Sequence, residues 1–323
     1  MYTVKKVVLL GGGRGLSVLL RGLKLFPIDL TAIVAVSDDG SSTGRLREEF
    51  NMPAVGDLRG VLTAMAETEP LVNELLEYRF DTTSDLNGHP VGNLIITAMS
   101  KITGNLSSAI KELGHVFNIK GRILPFTEDY VTLVAHMTDG TVIEGESEIT
   151  EAHKKIERIS YKKEPKVDKE VFDAIKEADL IVFGIGSLYT SIIPNILSKK
   201  VRDAILESKA KKLYICNAMT QSGETDNYTV SDCVKTLNKY MKDDFLDAVI
   251  VSTTEIPQEV LDRYKGLESK STILVDPLLL DEEMKNMDVE VISEDLIIIN
   301  EEDLVQHDSI KTATVIFTYA MRK

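Results

Sequence analysis

The chain has 323 residues, 43% hydrophobic and 27% charged, enough to bury an α/β core as one large domain or two smaller ones. A formal net charge of -14 argues against a basic nucleic-acid surface, and two cysteines with no CxxC partner (Cys216, Cys233) argue against a disulfide framework or structural zinc. No apolar run reaches membrane-spanning length, and the first strand is entered by Val4, so a cytoplasmic chain without a signal peptide is expected.

The apolar run Val7–Leu10 reads as a strand that empties into Gly11, Gly12, Gly13, Arg14 and Gly15, and a helical pattern (Leu16, Leu19, Leu20, Leu23) follows at once. Glycines let backbone approach a phosphate, and a helix N-terminus points free N–H groups at it. Leu16 stands where a dinucleotide fingerprint has its third glycine, and no Lys-Ser/Thr pair marks a Walker A loop. Leu30–Ser37 reads as a second buried strand running into Asp38 and Asp39. At the carboxyl end of a parallel neighbour these carboxylates would face the first glycine loop. There they would hold Mg²⁺, hydrogen-bond a ribose, or simply cap loop N–H groups.

A helix is expected over Leu58–Glu67, with Asp57 as its N-cap and Arg59 as either a phosphate contact or a surface charge. Pro90 opens a helix over Leu94–Ile102; beside it His89 is a candidate acid/base group or a structural hydrogen-bonder, and Asn93 a candidate ligand contact. Short β-rich runs at Arg122–Pro125, Val131–Met137 and Thr141–Ile143 suggest an antiparallel insertion over 119–161, with Thr138-Asp139-Gly140 as a hairpin turn.

The α/β rhythm resumes with a strand at Ala178–Phe183 and a second glycine turn, Gly184-Ile185-Gly186-Ser187-Leu188, opening a helix that carries Thr190 and Ser191. Amides and hydroxyls there would cradle a diphosphate. The strand Lys212–Cys216 leads into a polar loop whose Asn217, Met219, Thr220, Gln221, Glu224 and Asp226 would face a nucleoside. Further strands are expected at Ala248–Ser252, Thr272–Val275, Val289–Ile292 and Leu296–Ile299, with a last helix starting near Asp308. The pattern is an α/β fold: a Rossmann-like, mostly parallel sheet flanked by helices, read as one nucleotide-binding domain over 1–323 with a small β-rich insertion.

In these loops the chain resembles the bacterial gluconeogenesis-factor family (YvcK-like), which is related to 2-phospho-L-lactate transferase (CofD-like). The resemblance rests on GGGRGLSVLLRGLK, SDDGSSTGRLR, GDLRG, GHPVGN, ITGN, GSLYTSIIPN and CNAMTQSGETDNY, in that order and over nearly the whole chain. It implies a cytoplasmic regulator needed for growth on gluconeogenic carbon sources and for cell shape and wall synthesis. It further implies binding of UDP-sugars such as UDP-N-acetylglucosamine. Wall-precursor regulatory proteins and a second copy of this chain are the partners considered beside it. The transferase relatives use a guanosine-diphosphate-linked substrate, a deazaflavin acceptor and Mg²⁺, so a Mg²⁺-dependent transferase is the alternative. A dinucleotide oxidoreductase is the weaker third reading, for want of the third glycine.

Some positions depart from the family pattern: Arg14 stands for Thr, Gly60 for Asn and Ile185 for Pro. Gln306-His307-Asp308-Ser309 resembles the family's Arg-His-Asp-Thr, so a diphosphate-binding Arg is replaced by Gln306. Ser309 keeps the hydroxyl that phosphorylation would target.

Overall fold

The protein is described here by a computed structural model over residues 4–268, 270–273, 275, 277–300 and 304–322. Twelve strands occur among them: β1 (Lys6–Gly11), β2 (Asp29–Val34), β3 (Arg122–Pro125), β4 (Leu133–Met137), β5 (Val142–Glu144), β6 (Ile156–Tyr161), β7 (Leu180–Phe183), β8 (Lys211–Ile215), β9 (Ala248–Ser252), β10 (Glu290–Glu294), β11 (Ile297–Ile299) and β12 (Val305–His307). Seven of them form one sheet in the order β10-β9-β8-β7-β1-β2-β3, and every pairing in it is parallel.

Helices cover both faces, which is why β1 and β7 read as unbroken apolar runs. Along β1 the side chains alternate: Val8 and Leu10 enter one core with Phe183 and Tyr214, while Val7 and Leu9 enter the other with Leu16, Leu19 and Leu20 of the first helix (Gly13–Leu23). Gly11 pairs with Val34, and Leu10 with both Ile33 and Phe183, so the loops after β1, β2 and β7 leave the sheet on one level. That level is where an open α/β sheet offers a crevice.

Some expectations need correction. Arg122–Pro125 is not part of the antiparallel insertion: it pairs in parallel with β2 as the edge of the main sheet. A four-residue apolar run carries no periodicity that tells a buried parallel strand from a hairpin strand. The antiparallel sheet consists of β5-β4-β6. The segment Thr272–Val275 contributes an isolated bridge from Thr272 to Met219, and Leu274 within it lies outside the described residues. The helix expected at 58–67 runs Gly56–Met65. After the second glycine turn the chain makes a π turn (Leu188–Ile192) and a 3₁₀ turn (Ile193–Ile196) in place of a regular α-helix. The last helix, Ser309–Met321, is capped by the Asp308 carboxylate, which accepts from the N–H groups of Ile310 and Lys311.

Candidate functional site

Gly12 precedes the first helix, and no side chain of its own segment caps that helix. The Asp57 carboxylate takes this place from a distance, accepting the N–H of Gly13 at 2.7 Å. Asp57 is therefore not the N-cap of its own helix, whose cap position is Val55. Burial, aided by nearby Asp38, pushes the Asp57 carboxyl up to about 6.

The two glycine loops touch. A Cβ on Gly15 would lie 2.4 Å from the Ile185 carbonyl oxygen, and one on Gly186 would lie 3.1 Å from the Gly12 carbonyl oxygen. Asn217, leaving β8, fastens the second loop: its Oδ1 accepts from Gly186 N–H at 3.3 Å and its Nδ2 donates to Gly186 O at 2.6 Å. Beyond this junction opens a cleft of about 360 Å³ lined by Arg14, Gly15, Ile185, Gly186, Ser187, the 217–221 loop, Tyr264, Lys270 and residues 304–307. Asn217, Met219, Thr220 and Gln221 thus share one cleft with one side of each glycine loop.

Other candidates have structural partners. The Ser187 hydroxyl caps the π turn, accepting Thr190 N–H at 2.9 Å and Thr190 Oγ1–H at 2.8 Å, and donates to Glu224. Glu224 is buried beneath the loop, and burial pushes its carboxyl up to about 7. Leu188 is buried as well, while Gly11 passes its carbonyl to Ala35 N–H and Asn195 Nδ2. Gly184 packs on Leu19, and the Ser191 side chain stands beside Gly12 and Gly13. Asp226 accepts Gly223 N–H and lines a separate depression with Lys155 and Lys239.

Asp38 and Asp39 have separate hydrogen-bond partners. Asp38 Oδ1 accepts Gly40 N–H at 2.9 Å; Asp39 accepts the N–H groups of Glu146 and Ser147 at 3.1 and 2.8 Å, capping the short helix Glu146–Glu151. Among the described residues no group of three His, Cys, Asp or Glu side chains is arranged to hold a metal. His89 and Asn93 lie in a polar cluster outside the cleft. His89 Nδ1 and Asn93 Nδ2 both meet Ser42 Oγ, at 2.7 and 3.2 Å, and Arg59 Nε donates to Asn93 Oδ1. Burial lowers the His89 pKa, and Arg59 pairs with Glu77.

Glu146, Tyr264 and Lys270 carry no motif in the sequence, yet Tyr264 and Lys270 line the cleft. Glu146 comes from the antiparallel insertion, hydrogen-bonds Thr190, and is pushed up to about 8 by burial and by Asp38. No local motif announces it, because its neighbours are supplied by distant loops.

The family model described as 2-phospho-L-lactate transferase CofD matches residues 7–297. The gluconeogenesis factor of Bacillus subtilis is 46% identical over 313 residues, 96% of each chain. That of Halalkalibacterium halodurans is 42% identical over 314 residues, 97% of this chain and 95% of the other. A crystal structure of a Bacillus halodurans protein superposes with a TM-score of 0.93 at 42% identity, covering 98% of this chain and 100% of that one. The ordered loops, the parallel sheet and these matches agree: the chain belongs to the bacterial gluconeogenesis-factor family, within the CofD-like group.

Proposed function

We propose that this gluconeogenesis-factor homologue is a cytoplasmic regulator that binds a nucleoside diphosphate, a UDP-sugar foremost, in the cleft between the glycine loops. It would pass that signal to wall-precursor proteins. The observation that carries the reading is the direct contact of the two glycine loops at the mouth of a cleft edged by polar side chains. The diphosphate would sit at Gly15 and Gly186–Ser187, and the nucleoside or sugar would extend along Asn217–Gln221. Gln306 and Arg14 line the same cleft, so the cation that the family resemblance loses at position 306 has a replacement at position 14. Ser309, in the first turn of the last helix, is the hydroxyl through which phosphorylation would act.

The test is a thermal-shift series with UDP-N-acetylglucosamine, UDP, GDP and NAD, with and without Mg²⁺. A ligand at a hundred times its dissociation constant adds about 2.7 kcal/mol to stability. We expect UDP-N-acetylglucosamine to raise Tm most, and no shift with any nucleotide would remove the reading. The transferase reading draws on the raised Asp57 carboxyl beside the first glycine loop. It would prevail if the wild type releases a product from a nucleoside diphosphate substrate and Asp57→Asn does not.

A further inference from the structure

The two edges of the main sheet end differently. In a parallel strand, successive residues turn their N–H and C=O groups to opposite sides. At β3, Phe126 N–H bonds Val34 O, so Ile123 and Pro125 face away from the sheet. Pro125 has no N–H, and the helix Leu106–Val116 packs against the strand, which closes that edge. β10, at the other edge, pairs with β9, and among the described residues no strand covers its outer side. Glu290 N–H bonds Asp247 O and Glu294 O accepts Thr253 N–H, so Val291 and Ser293 turn their N–H and C=O groups outward. The strand carries neither the proline nor the lysine that ordinarily blunts an edge. A groove lies on each face of it, since Val291 turns toward one core and Ile292 toward the other. The groove beside Val291, about 510 Å³, is lined by Asp247, Asp281, Asp288 and Glu290 against one cation, Lys285. Arg322 holds Glu290 at 2.5 Å, which leaves three carboxylates to that lysine. The groove beside Ile292, about 520 Å³, has Glu294 at its rim and is lined by Ile310, Thr314, Val315 and Thr318 of the last helix, where Lys311 is paired with Asp295.

We propose that β10 is a docking edge for an extended, basic segment of a partner protein, added as a further strand on Val291 and Ser293. The side chains of such a strand alternate between the two faces. Lys or Arg would lie over the acidic groove, and β-branched apolar residues over the last helix. Main-chain hydrogen bonds supply the affinity, and the alternate side chains select the partner. A second copy of this chain fits poorly. Antiparallel pairing of two β10 strands about Ile292 would set glutamate against glutamate at both ends, between chains of net charge -14. The edge shares no lining residue with the cleft between the glycine loops, so the proposal is independent of what that cleft binds.

The probe is a labelled peptide that alternates lysine with valine or threonine, titrated into the full chain by fluorescence anisotropy. One control peptide carries glutamate for lysine. Two others carry N-methyl groups on one or the other alternate set of amides, which removes the donors of one strand edge and keeps the charge. We expect saturable binding of the lysine peptide, none of the glutamate peptide, and a loss of about tenfold or more for one N-methylated set. Hydrogen exchange should slow at Val291 and Ser293 when the lysine peptide is added. Ser293→Pro removes an outward N–H and breaks no bond to β9, so it should weaken the lysine peptide about tenfold and melt like wild type. Asp281→Asn with Asp288→Asn should weaken binding and flatten its salt dependence. If Ser293→Pro fails to fold, the N-methylated peptides and the exchange at Val291 and Ser293 decide on the unaltered chain. No binding, binding indifferent to both N-methylated sets, or unchanged exchange at Val291 and Ser293 would overturn the proposal. A wild type that sediments as a dimer, and as a monomer with Ser293→Pro, would give the edge to a second copy and overturn it too.

Discussion

Glu224 sits 3% exposed beneath the second glycine loop, where burial raises its carboxyl from an ordinary 4.5 to about 7. A carboxyl raised in the folded state contributes stability that is fully present below its unfolded value and is lost as pH rises through the folded value. Stability of the ligand-free protein should therefore fall between about pH 4.5 and pH 7, by at most about 1.4 kcal/mol per pH unit from this group. Asp57 adds to the same decline over its own window, from 3.8 to about 6. In Glu224→Gln, where Ser187 still has an oxygen to donate to, urea midpoints measured at pH 5, 6 and 7 should decline less steeply than in wild type. Equal slopes would remove Glu224 as the source. None of this was visible in the sequence, where Glu224 read as a loop acid facing a nucleoside. Its burial depends on the π turn after β7 lying above it, and loop composition does not encode such a neighbour.

At the scale of elements, two helix contacts hold the glycine loops in place. Gly15 lies inside the first helix, where alanine is intrinsically favoured by about 1 kcal/mol, yet a Cβ there would meet the Ile185 carbonyl at 2.4 Å. Backbone cannot yield as a side-chain tip does, so the clash wins. Gly15→Ala should destabilise by about 1–3 kcal/mol and lower nucleotide affinity together. Gly266→Ala, in the exposed helix Gln258–Glu268 with open space around its Cβ, should stabilise by up to about 1 kcal/mol in the same urea titration. A stabilised Gly15→Ala protein would show that the loops do not need their contact. Strand, glycine turn and helix were legible here because four glycines within five residues break an apolar pattern at one point. The partner of that turn was not, since Asp57 reads locally as an ordinary cap and reaches Gly13 only through the packing of two helices.

For the whole molecule, the α/β class was legible from unbroken apolar runs separated by helical patterns, and the seven parallel strands agree with it. The allotment of Arg122–Pro125 was not, because only its pairing with β2 separates it from the hairpins that follow. The first and last helices cross where a Cβ on Gly22 would meet the Ser309 carbonyl oxygen at 2.0 Å. Gly22→Ala should therefore part these helices, cost about 1–3 kcal/mol, and weaken ligand binding through the displaced 304–307 wall. Denaturation and calorimetry on the same variant would test both effects, and a wild-type affinity would uncouple the crossing from the cleft. The same crossing bears on how the protein is made. β1 leaves the ribosome before the other described strands but lies between β2 and β7, and the first helix waits for residues 309–321 to cover Gly22. Until those residues emerge, the growing chain carries an unfinished sheet and an uncovered helix. A ligand of the cleft cannot shelter them, because the wall that residues 304–307 supply to it has not yet been translated. Growth conditions that deplete chaperones should therefore reduce the yield of this protein before they affect its ligand affinity.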